Sequence, residues 1–441
     1  MRRSSNLRRL LVAMLAVASF AAAGCGGGDP GAQSTDRKPG EKITMTFWSW
    51  VPGVDKAVDL WNSKNPDVQV KLEKIPSGSN GGYAKIHSAL KANQAPDLAQ
   101  IEYQAIPEFL LEDGLVDLKP LGADQHRGDF VDWQWEQGVF GDGVYAIPQA
   151  SGPMAMFYRA DLFEKWGIAP PKTWDEYEQA ARTIRQKDPN AYIATFPPGN
   201  SAWFTSLAAQ AGAHWFGVSG DTWQVNMDDP KTIQVAQYWD RMRADGLIKT
   251  DPDFQNGWYS DLQSGRIATW VSAQWGDAIL SGNAPDTAGK WRVAPMPQWT
   301  AGGTASANWG GSSTAVLKGA RYPKEAMQFA LWLNTDPQSI DLLIAGGYGW
   351  PAAKGAFQGS ALDKPYDFFG GQKINDVFAT ADQNIDKSWK WIPTTTAMYE
   401  NLNVGFRDAA AGRGSFADSV RAAQGKTVAD LQAKGLQVKE G

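Results

Sequence analysis

Residues 43–72, ITMTFWSWVPGVDKAVDLWNSKNPDVQVKL, decide the fold. Ile43, Met45 and Phe47 alternate with polar residues, Val54, Val58 and Trp61 recur at helical spacing, and Val68, Val70 and Leu72 alternate again. A period of two marks a half-buried strand, and a spacing of three to four marks one face of a helix, so the segment reads strand, helix, strand. A second helical stripe follows at Tyr83, Ile86 and Leu90, and Pro96 introduces a short apolar strand over residues 97–102. Elements alternating in this way predict a parallel sheet covered by helices.

The same alternation continues down the chain. Thr173 followed by Glu176 forms a capping box for a helix with the stripe Tyr177, Ala180 and Ile184. Ile233, Ala236, Trp239 and Met242 mark another helix, stopped by Gly246. Pro323 sits where a first-turn proline belongs, ahead of Ala326, Phe329, Ala330 and Leu333. The chain has 441 residues, beyond the size at which one core stops growing, so two α/β lobes are expected. Asp142-Gly143 is a hairpin signal, and the extended run behind it is broken by Gly152-Pro153, a candidate crossing between lobes; residues 297–303 are a second.

Arg2, Arg3, Arg8 and Arg9 precede the apolar run 10–23, which ends in Ala22, Ala23, Gly24 and Cys25. This pattern reads as a signal peptide over residues 1–24, too short to span a bilayer. Cys25 is the one cysteine, excluding an internal disulfide, and its place after small residues resembles a lipobox, making it the expected lipidation site. Arg8-Arg9 leaves twin-arginine export open beside the general route. Residues 25–40, rich in Gly, Pro and Ser, read as a flexible tether from that anchor. The net charge is −5, and −9 once the leader arginines are set aside, which disfavours a nucleic-acid partner.

The chain holds 21 Trp beside 18 Phe and 12 Tyr, many of the tryptophans in Gly- and Pro-rich stretches, where binding residues concentrate. About half of them are assigned to packing, because Trp is a large apolar side chain. In open parallel sheets, ligands settle beyond the carboxyl ends of the strands. That rule selects Trp48, Ser49 and Trp50 after the first strand, Ser77, Ser79 and Asn80 after the second, and Glu102, Tyr103 and Gln104 after the third. A sugar offers apolar C–H faces and a rim of hydroxyls, and this set supplies aromatic platforms with amide and carboxylate partners. Covering one sugar face contributes about 1 kcal/mol, whereas micromolar affinity needs about 8 kcal/mol, so both lobes must contribute.

Signatures of catalysis are sparse. The three histidines His87, His126 and His214 are widely spaced, no HExxH or Gly-x-Ser-x-Gly run occurs, and Gly310-Gly311-Ser312 lacks the Lys of a phosphate loop. No metal site, cofactor or catalytic residue is expected. One enzymatic alternative stays open, an exported glycoside hydrolase using Glu102 and Asp277 as paired carboxylates. A receptor of the same fold for a polyamine or peptide is another.

Several segments resemble the bacterial extracellular solute-binding proteins, family 1, the sugar-binding class that includes maltose-binding protein. They are Phe47-Trp48-Ser49, Ala95-Pro96-Asp97-Leu98, Gly114-Leu115, Gly143-Val144-Tyr145-Ala146-Ile147-Pro148 and Met156-Phe157-Tyr158-Arg159-Ala160-Asp161-Leu162-Phe163. Thr173-Trp174-Asp175-Glu176, Gly265-Arg266-Ile267-Ala268, Gln274-Trp275-Gly276-Asp277, Asn308-Trp309-Gly310-Gly311 and Gly347-Tyr348-Gly349-Trp350-Pro351-Ala352 continue the likeness. The resemblance implies a two-lobe periplasmic-binding-protein fold of type II, each lobe a mainly parallel sheet flanked by helices, with a hinge between. It places residues 41–150 with 300–336 in one lobe and 151–299 with 337–441 in the other, with crossings near 149–153, 297–303 and 335–338. It implies a non-enzymatic, monomeric, lipid-anchored component of an ABC importer, on the outer face of the cytoplasmic membrane, which shuts around a di- or oligosaccharide and presents it to permease subunits. Trp48, Trp50, Asn80, Glu102, Tyr103 and Gln104 are expected to bind ligand from the first lobe and Trp203, Trp270, Trp275, Asp277 and Trp350 from the second. Gln149, Trp309, Gly310 and Gly311 are expected to bind ligand near the crossings.

Overall fold

The computed structural model describes residues 36–441; the signal peptide, Cys25 and most of the tether lie outside the described residues. The chain opens with β1 (Ile43–Ser49), α1 (Val54–Lys64), β2 (Val68–Lys74), α2 (Gly82–Lys91), β3 (Leu98–Glu102), α3 (Ile106–Leu111) and α4 (Asp132–Glu136). The short hairpin β4 (Val139–Phe140) and β5 (Gly143–Val144) leads to β6 (Ile147–Ser151), β7 (Met154–Arg159), α5 (Ala160–Trp166), α6 (Trp174–Lys187) and α7 (Ser201–Gln210). Next come β8 (Phe216–Ser219), β9 (Thr222–Val225), α8 (Pro230–Ala244), α9 (Asn256–Ser264), β10 (Thr269–Ala273), α10 (Gly276–Asn283) and β11 (Trp291–Ala294). The chain ends through β12 (Ser312–Val316), α11 (Pro323–Thr335), α12 (Pro337–Ala345), β13 (Trp350–Pro351), α13 (Ile374–Gln383), α14 (Thr395–Ala410), α15 (Phe416–Ala433) and β14 (Gln437–Glu440).

The alternation in β1 does what its period requires: Ile43, Met45 and Phe47 are buried while Thr44 is exposed. Phe47 meets the Phe329 ring of α11 edge to face at 5.6 Å, and Trp61 of α1 meets it at 5.3 Å. Burying each such side chain contributes about 1.5–3 kcal/mol, so strand and helices are fixed by the same apolar residues. The first lobe's six strands run in the order β13-β6-β12-β3-β1-β2. Pairs β1/β2 and β1/β3 are parallel, whereas β12 runs antiparallel to both β3 and β6.

The second lobe is built round β10-β7-β11, both pairings antiparallel. The expected α/β two-lobe fold is present, but in the first lobe its parallel character holds only around β1. The reason is connectivity: β12 enters the first sheet from the other lobe, not through a crossover helix, so nothing forces it to run alongside its neighbours. In the second lobe, parallel pairing is confined to β14 with β9 and to single bridges such as Tyr192 with Ile267 and Thr195 with Lys249.

The chain leaves β6 for β7 at Gly152-Pro153. It returns at residues 308–311, where Trp309 N donates to Gly152 O at 2.9 Å and Gly152 N donates to Asn308 Oδ1 at 2.7 Å. The expected return at 297–303 is corrected, since Gln298 N is still bonded to Lys172 O and Ser306 Oγ to Met154 O in the second lobe. The third boundary also moves. Helix α12 buries Leu343 in the first lobe's core, and β13 pairs with β6, so residues 337–351 belong with the first lobe. Asp336 explains the misplacement: it caps α12 through Gln338 N and Ser339 N, so the break after α11 is a helix corner and not a crossing.

Candidate functional site

Gln100, buried in β3, organises the first ligand loop. Its Oε1 accepts from Ser49 Oγ at 2.8 Å, Trp50 N at 3.0 Å and Val51 N at 3.2 Å, while Nε2 donates to Ser312 Oγ at 2.9 Å. One amide thus ties the exit of β1 to β12 and fixes the backbone of Trp50. The half-buried Trp50 ring meets Tyr83 edge to face at 6.0 Å, and Trp48 carries the Lys85 ammonium 4.2 Å from its ring centroid. Asn80 lies apart, exposed, its Nδ2 donating to Ser77 Oγ.

Glu102 follows at the end of β3. Tyr83 donates its hydroxyl to Glu102 Oε2 at 2.6 Å. Burial pushes the Glu102 carboxyl above its ordinary range, while the Tyr83 hydroxyl and Gln104 amide favour its ionised form. Across from it stands Tyr399 of α14, whose phenol is raised by burial and by the negative charge of Glu102. Tyr399 packs on the second lobe's core, and Trp391, 6.4 Å from its ring, reaches back onto the first lobe's cluster that holds Trp48 and Trp50. Both lobes therefore meet at this carboxylate. A cleft beside it is lined by Trp133 and Gln137 from the first lobe and by Thr205, Ser206, Trp389 and Trp391 from the second. The Trp389 indole N–H and the Thr394 hydroxyl are buried without hydrogen-bond partners, whereas Trp133 faces the buried Asp382 carboxyl.

Around the crossings, the Gln149 side chain is fully buried and neither amide atom has a partner, while its C=O accepts from Tyr348 Oη at 2.6 Å. Half-buried Trp275 donates through Nε1 to Trp309 O at 3.2 Å and lies 4.7 Å from the Trp309 ring. Phe254, at φ 55 a bulky residue in the left-handed region, packs at 6.2 Å from each of these rings. Gly310 and Gly311 serve the backbone: both have positive φ, and a Cβ on Gly311 would sit 2.8 Å from the Tyr103 ring.

Several expected ligand contacts are corrected to packing roles. Trp203 is 3% exposed, its indole N–H spent on Val271 O at 2.9 Å. Trp270 is enclosed by Phe157, Trp258 and Phe254, and Trp350 is buried against Phe357. Tyr103 is buried and donates to Gln134 Oε1. Asp277 is also buried: Oδ1 accepts from Ala278 N at the start of α10 and Oδ2 from Gln274 Nε2, while burial pushes its carboxyl up to about 7. A carboxyl committed in this way is no partner for Glu102 in cleaving a glycoside.

A profile of the bacterial extracellular solute-binding proteins matches residues 48–340. The chain belongs to that family. Among its relatives, this solute-binding protein is 28% identical over 312 residues to the arabinooligosaccharide-binding protein of Bacillus subtilis, covering 68% of this chain and 70% of the relative. It is 24% identical over 351 residues to the lactose-binding protein of Rhizobium radiobacter, covering 76% and 81%. Its structure superposes with a TM-score of 0.84 on the galacto-N-biose-/lacto-N-biose I-binding protein of an ABC transporter from Bifidobacterium longum, solved with lacto-N-biose, at 30% identity over 91% of this chain and 100% of that one. Family and neighbours are substrate-binding proteins of the type II periplasmic fold rather than enzymes.

The sequence reading of this solute-binding protein missed Tyr83, Trp391 and Tyr399. Tyr83 also serves the buried stripe of α2. The pair Trp389 and Trp391, set just before the Ile392-Pro393 that opens α14, carried the same signal as Trp48 and Trp50.

Proposed function

We propose that this protein captures a di- or oligosaccharide between its lobes and hands it to the permease subunits of an ABC importer without transforming it. One observation carries the reading: the half-buried Glu102 carboxylate is bonded to Tyr83, which Trp50 meets edge to face in the first lobe, and it faces Tyr399, which Trp391 meets in the second. Aromatic walls cover sugar C–H faces, and a desolvated acceptor without a cation beside it suits hydroxyl donors. The sugars named for its relatives support the same class of ligand. Export as a monomer held to the outer face of the cytoplasmic membrane through Cys25, with residues 26–40 as the tether, completes the proposal.

A thermal-shift screen against lactose, arabinotriose, galactobiose, lacto-N-biose and maltose, beside spermidine and a mixed peptide pool, tests it. A bound sugar at about 100 times its dissociation constant adds about 2.7 kcal/mol to folding stability. A shift with the amine or the peptides and none with any sugar sinks the proposal, as does sustained release of monosaccharide from a bound oligosaccharide.

A further inference from the structure

We propose that Glu108 and Thr396 form a clasp between the lobes, set outside the sugar site, that slows ligand release by holding the lobes together; this rests on the hinge-closure reading above. Thr396, in the first turn of α14, donates its hydroxyl to Glu108 Oε2 on α3 at 2.7 Å. The two residues belong to different cores: α3 buries Ile106 and Phe109 in the first lobe, and α14 buries Met398, Leu402 and Phe406 in the second. A bond between groups on separate rigid bodies exists only while those bodies are together, so all of its free energy goes to the shut state.

The acceptor stands beside an imidazole of its own lobe. His87 of α2 stacks on Phe109 with ring centroids 4.1 Å apart and planes 6° apart, donor or acceptor to Glu112 through Nδ1 at 2.9 Å. Its Nε2 lies 3.9 Å from Glu108 Oε1, and the Glu108 side chain is 20% exposed. At that distance the imidazole flanks the carboxylate without a hydrogen bond, and Oε2 is presented to the other lobe. A side chain flanked in this way has less freedom to lose when the bond forms than one standing free in solvent.

Glu108→Ala and Thr396→Val are each expected to raise the dissociation constant about fivefold, through faster dissociation with the association rate kept. The double variant should bind no more weakly than either single one, and Glu108→Gln and Thr396→Ser, which keep the acceptor and the donor, should stay within about twofold of the parent. Unliganded melting temperatures should not move. Unchanged dissociation rates, or effects that multiply in the double variant, overturn the clasp. A second measurement needs no known ligand: a full chain carrying Cys25→Ser, Glu108→Cys and Thr396→Cys is treated with dibromobimane, which fluoresces on bridging two thiols. Bridging is expected, accelerated by whichever sugar shifts the melting temperature. No bridging with or without sugar overturns the clasp, whereas bridging that no sugar accelerates supports the clasp and counts against the sugar reading.

Discussion

Tyr83 donates its hydroxyl to Glu102 Oε2 at 2.6 Å, and this bond opposes the burial that pushes the carboxyl above its ordinary range. A hydrogen bond to an ionised group contributes about 1.5–3 kcal/mol. Tyr83→Phe therefore raises the Glu102 pKa further. Affinity should fall, because the variant also loses the hydroxyl that positions the Glu102 carboxylate. The loss of binding on acidification should also set in at a higher pH than in the parent. Titration calorimetry from pH 5 to pH 8 measures both, and an acid limb that stays put or moves to lower pH refutes the assignment.

Gln100 accepts from Ser49, Trp50 and Val51 with a single oxygen. Gln100→Leu strands those donors, at about 1–3 kcal/mol for each buried group left unpaired. Melting temperature and affinity should fall together, because the lost acceptor also fixes the Trp50 backbone. A variant that melts lower but binds as tightly as the parent would separate Trp50 from the ligand.

The first lobe was legible because β1, α1 and β2 are contiguous, and each shows a clean period of two or 3.6 in residues that pack on one another. The crossings were less legible. Whether Asp336 ends a lobe or merely caps α12 depends on where Leu343 finds its core, and that partner is α1, almost 300 residues away in sequence. The site was half legible for a related reason. Glu102 and Trp50 were found by strand-end geometry, but Trp391 and Tyr399 arrive on a loop and helix whose place over the first lobe is set by tertiary packing. Tryptophan itself is ambiguous, since Trp203 and Trp50 look alike as letters and differ only in where their indoles are spent.

That difference is measurable. Trp203→Ala removes a buried indole that meets Phe196 and Trp239 and bonds Val271 O, so it should cost about 3–5 kcal/mol of stability. Trp50→Ala removes a half-buried ring at the site, and should lower sugar affinity about tenfold while leaving the unliganded melting temperature within a degree or two. Chemical denaturation and binding on the two variants give opposite patterns if the assignment holds. A Trp50 variant that is mainly unstable, or a Trp203 variant that is mainly a poor binder, would reverse the roles.

Asp277 offers a test through pH alone. Burial raises its carboxyl from 3.8 to about 7, so the folded chain holds this proton more tightly than the unfolded chain does. Stability from this group is therefore complete below about pH 4, declines as pH rises toward 7, and is lost above it, with about 4 kcal/mol as the upper bound for the whole change. Asp277→Asn has no charge to bury and keeps an oxygen for Ala278 N, and Gln274 can turn its unpartnered Oε1 toward the new amide. The variant should match the parent near pH 4 and exceed it by a growing margin up to pH 8, read as melting temperatures of the two chains in parallel buffers. A margin that does not change with pH would mean that Asp277 is ionised throughout, and the reading of it as a carboxyl kept neutral by burial would have to be given up.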